Sequence, residues 1–218
     1  MTAPFEEVVQ ALGRVGECDV GIQTIRVASI VGSADRNTDF DGRFRPTSSR
    51  ARPRFERIAA AQRRGAPMPP IDVYRVGAMH FVRDGHHSVA VACAQGRTAT
   101  DAHVVEVITR VAADAPITVS ELPRKRHERD FHERVPLAAA YRSRISLSDP
   151  TRYAALAERV EAWGARLIDH ERRFIDRAEV ARRWFEDEYE PVVELLRDYK
   201  RVGRRERETD AYLQLTRP

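Results

Sequence analysis

Residues 69–96 constrain the fold of this chain more than any other stretch. Ile71-Asp72-Val73-Tyr74-Arg75-Val76 alternates apolar and polar side chains, the pattern of a strand with one buried face. Gly77-Ala78 turns the chain, and Met79-His80-Phe81-Val82-Arg83 returns as its hairpin partner. Asp84-Gly85 then leads into a compact helix, His86 to Ala94, which Gly96 closes. The start of such a helix carries unpaired backbone N–H groups and the positive end of the helix dipole. Gly85 lets an anion approach that backbone closely, so the turn is suited to phosphate. An Asp-Gly turn between strand and helix is also common as plain architecture.

The flanking segments are of the same α+β texture. Phe5, Val8, Val9 and Leu12 fall at helical spacing, and Gly13 and Gly16 end that helix. Ile22 to Val31 alternates as a strand, and Ala102 to Ile108 reads as another. Pro53 opens a helix whose inner stripe is Phe55, Ile58, Ala59 and Gln62, with Gly65 as its stop. Pro67, Pro69 and Pro70 then force extended geometry. Between them, Gly32 to Pro53 is too long and too charged to be an idle connection.

The second half reads as helical. Ser148-Asp149-Pro150 is an N-cap followed by proline at the first helical position, ahead of the stripe Tyr153, Leu156, Ala157, Val160, Trp163 and Leu167. Asp176 to Glu179 resembles a capping box. Pro191 either kinks the helix behind it or starts a new one through Leu195, Leu196 and Tyr199. Thr209 to Leu215 forms a last short helix. Trp163, Trp184, Tyr189 and Tyr199 are expected in the core, on the apolar stripes. The expected divisions are an N-terminal helical segment 1–17, an α+β domain 18–112, a charged connector 113–147, and an all-helical module 148–218.

Composition narrows the function. With 42% apolar residues in 218, the chain can bury a sizeable core. No apolar run approaches the roughly 18 residues of a membrane span, and the first residues lack the pattern of a secretory signal. Cys18 and Cys93 form neither metal spacing nor a disulfide framework, so a reduced, cytoplasmic protein is expected. All but two of the 37 basic residues are arginine, Lys125 and Lys200 being the exceptions. Nine arginines between Arg36 and Arg64 face three carboxylates, a cluster that attracts phosphate unless it is locally paired.

Residues from about Ile22 to Ile108 resemble the ParB/sulfiredoxin superfamily domain. The order of strand, loop, helix, Pro-Ile strand, hairpin and Gly-initiated helix is similar, and the turn Asp84-Gly85-His86-His87-Ser88 looks most like the Asp-Gly-His-x-Arg form of a free-serine kinase. The resemblance implies a nucleoside triphosphate (ATP or CTP) with its phosphates at the helix start after Gly85, and Mg²⁺ held at Asp84. It implies phosphate contacts from Gly85, His86, His87 and Ser88, and a catalytic role for Asp84 and His87. His86 stands where sulfiredoxins carry their catalytic cysteine, which excludes that chemistry. Ser88 stands where the family places a phosphate-clamping arginine, and serine supplies neither its charge nor its fork. Arg36, Arg43 or Arg45 of the long loop is expected to substitute. Residues 107–122 contain no counterpart of the Glu-Asn-x-x-Arg box of partition proteins, which counts against a DNA-sliding clamp.

Three functions follow as expectations. The first is an NTPase or small-molecule kinase, in which Gly85→Asp abolishes nucleotide binding and leaves the fold intact. The second is a partition-like or nuclease-like factor that meets DNA through Arg36 to Arg64. The third is a non-catalytic interaction module that has lost the site at Ser88. A homo-oligomer is compatible with each. Within the long loop, Phe40 and Phe44 either anchor a surface segment or close a lid in which Arg43 and Arg45 reach phosphate. His80, His86 and His87 lack a familiar zinc spacing, and Ser33 and Ser88 lack a nucleophile elbow. The acidic run Glu186 to Glu194 is expected to pair with Arg182, Arg183 and Arg197.

Overall fold

A computed structural model describes residues 3–35, 39–49, 51–113, 115–199 and 207–216. The chain divides into two compact units, Met1–Pro123 and Arg124–Pro218.

The first unit is built on a mixed five-stranded sheet. In chain order its elements are α1 (Phe5–Leu12), β1 (Arg14–Arg26), β2 (Ile30–Ser33), α2 (Ala51–Arg63), β3 (Ile71–Val76), β4 (Met79–Asp84), α3 (His86–Ala94) and β5 (Ala99–Thr109). The strands lie in the order β1-β5-β3-β4-β2. β1 runs antiparallel to β5, β5 parallel to β3, β3 antiparallel to β4, and β4 parallel to β2. Alternation sorts the side chains between two cores. Ile71, Val73, Val82, Ala102 and Val104 pack against Val89 and Ala90 of α3 and Ala51 of α2. On the opposite face Val76, Met79, Phe81 and Val107 meet Phe5, Val8, Val9 and Leu12 of α1. The Phe5 and Tyr74 rings stack at 5.0 Å.

The first strand departs from the sequence expectation. Instead of Ile22–Val31, β1 begins at Arg14 and ends at Arg26, a 3-10 turn takes Val27–Ser29, and Ile30 opens a separate strand. β1 is an edge strand in which only Ile25 is buried, so most of it has no apolar alternation to read. The helix expected to open at Pro53 begins two residues earlier, where the Ser48 hydroxyl accepts the Ala51 N–H at 3.1 Å.

The hairpin turn is fixed by its surroundings. Gly77 has φ +56°, and a Cβ there would stand 2.0 Å from the Ala113 carbonyl oxygen. That same carbonyl accepts the Ala78 N–H at 3.0 Å.

The second unit consists of helices among its described residues. They are α4 (Leu122–Arg134, which opens at the boundary), α5 (Ala139–Arg142), α6 (Tyr153–Glu171), α7 (Arg177–Trp184), α8 (Glu190–Asp198) and α9 (Glu208–Leu215). Asp149 and Asp176 accept backbone N–H groups of the turns they precede, as cap residues do. A π-helical segment, Phe185–Tyr189, joins α7 to α8, and Pro191, which has no N–H to donate to the preceding turn, sits in the first turn of α8 directly behind it. In the core the Trp184 indole donates to Tyr212 Oη at 3.1 Å, and Tyr189 Oη lies 2.8 Å from Thr209 Oγ1. Buried Asp210 accepts from the Ser148 N–H and from Arg152. Tyr199 does not join this core; it is 74% exposed at the end of α8. Glu186 pairs with Arg182, Asp187 with Arg183, and Glu190 with Arg144.

The Gly77 geometry yields a stability prediction. Gly77→Ala is expected to cost more than about 2 kcal/mol in urea unfolding, from left-handed strain added to a forced shift of the Ala113 backbone. Unfolding at the wild-type midpoint would show that the 77–113 contact yields freely.

Candidate functional site

The site is organised by the junction of β4 and α3. Asp84 ends the strand, its carboxylate accepting the Gly85 N–H at 2.7 Å. Gly85 then takes φ +94° as the N-cap of α3, and no side chain caps the helix. The first-turn N–H groups of His86, His87 and Ser88 are thereby left to water or a ligand. A Cβ on Gly85 would lie 2.7 Å from Ile71 Cγ2. The expectation that Gly85→Asp spares the fold is therefore corrected: any side chain here collides with the first residue of β3.

The two histidines share Phe40 as a neighbour but have different polar partners. The His86 ring is 9% exposed and holds Ser33 Oγ at 2.7 Å through Nε2, with the Phe40 and Phe44 rings within 6.3 Å. The His87 ring sits edge-on to Phe40 at 4.9 Å, near the Ala51 backbone and the Arg54 guanidinium. Burial pulls both imidazoles below the ordinary histidine pKa.

Two clefts flank the α3 start. One of about 420 Å³ is lined by His86, Ser33, Phe40 and Phe44 together with the carboxylates of Glu6, Glu7, Asp35 and Asp41. That lining repels phosphate. The other, about 390 Å³, is lined by Asp84, Gly85 and Ser88 with Asp72 from β3 and Arg54, Ile58 and Gln62 from α2. Here a guanidinium and an uncapped helix start meet two carboxylates. Asp72 and Asp84 are cross-strand partners in the β3–β4 register, like charges held opposite one another. Asp72 also accepts from His103 Nδ1 at 3.2 Å, and His103 Nε2 meets Asp19 at 2.9 Å, a chain across β3, β5 and β1.

Of the sequence candidates, Asp84, Gly85 and Ser88 come together in the smaller cleft, whereas His86 lines the other. Arg45 is tied to Asp41 at 2.7 Å, and Asp41 also accepts the Arg43 and Arg45 N–H groups, so this carboxylate holds the loop in shape. Those backbone bonds and the arginine keep the Asp41 carboxyl below its usual pKa. Phe40 and Phe44 are buried under the loop, as anchors, and neither Arg43 nor Arg45 lines either cleft. Arg36 lies outside the described residues. Arg54, Asp72 and His103 are absent from the sequence candidates. Arg54 was accessible there, since Arg54, Ile58 and Ala61 fall at i, i+4 and i+7 of α2. Asp72 and His103 were not, because only strand register brings them together.

No family model and no curated protein matches the chain. Among solved structures it is similar to a Pnob8-like ParB-N domain, at 12% identity over 94% of this chain and 72% of that one, with a TM-score of 0.30.

The histidines of this unit give a pH dependence. His80, on β4, is 8% exposed with both ring nitrogens unpartnered among the described residues, and burial followed by the cross-strand Arg75 charge lowers its pKa. His80, His86 and His87 all bind a proton more weakly folded than unfolded. Their contribution to stability is therefore constant above the ordinary histidine pKa of 6.5 and is lost as pH drops below it. Denaturant unfolding at pH 7.5 and 5.5 should show this loss, and His80→Leu should reduce it. An equal loss in His80→Leu would remove His80 from the account.

Proposed function

We propose that this chain is a ParB-like nucleotide-binding protein that holds the phosphates of a nucleoside triphosphate, with Mg²⁺, in the 390 Å³ cleft at the start of α3. The observation that carries this reading is the position of Arg54. It lines the same cleft as Gly85 and Ser88, and so offers from α2 the guanidinium that residue 88 lacks. The backbone N–H groups of His86 to Ser88 add neutral donors, a combination suited to phosphate.

The donor set also fits the metal. Asp72 and Asp84 supply hard oxygen ligands, and Mg²⁺ is commonly held by one or two carboxylates plus substrate phosphates. Without a cation the two carboxylates outweigh Arg54, so binding requires Mg²⁺. When bound, the metal neutralises phosphate charge, the main demand of phosphoryl transfer or NTP hydrolysis. His103 would orient the Asp72 carboxylate through its Nδ1. His87 contributes its main-chain N–H, and its ring packs the α2 start against Phe40.

Calorimetry with ATP, CTP, ADP and GTP tests this. One nucleotide is expected to bind with Mg²⁺ and fail to bind in EDTA, and Arg54→Ala should weaken it about tenfold or more, the loss of one charged hydrogen bond. Binding that is independent of Mg²⁺ and of Arg54 would place the nucleotide elsewhere.

A second reading rests on a different observation. Arg52, Arg54, Arg57 and Arg63 are exposed on α2, and Arg52, Arg57 and Arg63 have no carboxylate partner among the described residues. They lie on two sides of the helix, with Arg52 and Arg63 on one and Arg54 and Arg57 towards the other, so the exposed positive charge of α2 suits the phosphates of duplex DNA. It predicts affinity falling steeply with salt, with the log–log slope reduced by about 0.9 for each of Arg57→Ala and Arg63→Ala. A salt slope unchanged in both variants would dismiss this helix as the contact.

A further inference from the structure

The second unit contains a cavity that the nucleotide reading does not use. It lies between α6 and α7, measures about 220 Å³, and is lined by Val135, Val160, Ala165, Ile168, Ile175 and Val180. Its shape follows from small residues. A Cβ on Gly164 would stand 2.5 Å from Val180 Cγ1, so the two helices close tightly at that point. Beyond it Ala165 is too short to fill the space, and Ile168, one turn further on, is left 37% exposed at the mouth.

The rim is cationic. Arg134, Glu161 and Arg177 line it. Arg134 grips Glu161 with two hydrogen bonds, at 2.9 and 2.8 Å, which cancels both charges. Arg177 opens α7 and has no ion-pair partner among the described residues. A cation at a helix N-terminus is opposed by the helix dipole, an effect that the capping carboxylate of Asp176 offsets in part, and it gains from an added anion. An apolar cavity with Arg177 at its mouth, where the neighbouring Glu161 is already engaged by Arg134, calls for a ligand that is apolar at one end and anionic at the other. An apolar cavity of about 150 Å³ accommodates benzene, so the present volume suits a chain of about six to eight carbons.

We infer that the helical unit binds a short-chain aliphatic carboxylic acid, the chain between α6 and α7 and the carboxylate on Arg177.

Octanoate is the probe, titrated into the full chain by calorimetry and followed by amide chemical shifts. A ligand of this size is expected to bind with a Kd of about 1 mM or tighter. Arg177→Gln should weaken octanoate about threefold to fivefold, as for a partly exposed ion pair, and leave octan-1-ol unchanged. Ala165 is exposed on α6, so Ala165→Phe occludes the mouth from outside and should abolish binding of both probes with the thermal midpoint preserved. Shifts confined to residues lining the cavity complete the expected result. The inference is overturned by octanoate binding that survives Ala165→Phe, by equal losses of octanoate and octanol in Arg177→Gln, or by no binding at about 10 mM.

Discussion

The approach of Gly85 to Ile71 is the constraint on which the first unit turns. With no room for a Cβ at 2.7 Å, the residue that leaves β4 must lie directly over the residue that starts β3. This fixes where α3 begins and which sheet face it covers. It also fixes the left-handed N-cap that leaves the first turn of α3 without a side-chain partner. Everything that makes the junction chemically useful follows from that backbone geometry. The glycine is thus structural first, and its value to a ligand is a by-product of the same close packing.

Charge then separates the two sides of the junction. On the His86 side, carboxylates and buried phenylalanines surround an imidazole already engaged by Ser33. On the Asp84 side, Arg54 faces two opposed carboxylates beside the uncapped helix start. The first arrangement disfavours an anion, and the second is where the proposed nucleotide and its Mg²⁺ would sit. Within the long loop, Asp41 holds Arg45 and two backbone N–H groups, so its charges are spent on the loop's own shape.

The second unit shows a different economy of polar groups. Its buried hydroxyls, indole and Asp210 are all engaged, which ties α7, the π-helical segment and α9 into one core. Polar groups left unpaired in such surroundings would be costly, and their satisfaction selects one packing of these aromatic rings. At the outer end of α6 and α7 the core stops short beyond the tight Gly164–Val180 contact, because Ala165 offers too little side chain to continue it.

Local pattern alone determined the β3–β4 hairpin, the Asp84-Gly85 turn, helix α3 and the capped helices behind Asp149 and Asp176. In each, the signal lies in residues a few positions apart, where alternation, helical spacing and cap chemistry act directly. Edge strand β1 was largely illegible, since an exposed strand has no buried face to impose a pattern, and Tyr199 fell outside the core because the stripe of α8 outlasts its packing. Only the tertiary structure decided that Arg54 joins Gly85 and Ser88, that Asp72 opposes Asp84, that His103 bridges Asp72 and Asp19, and that Arg45 is spent on Asp41. Those pairings depend on strand register and on how helices pack over the sheet, distances that sequence separation does not encode.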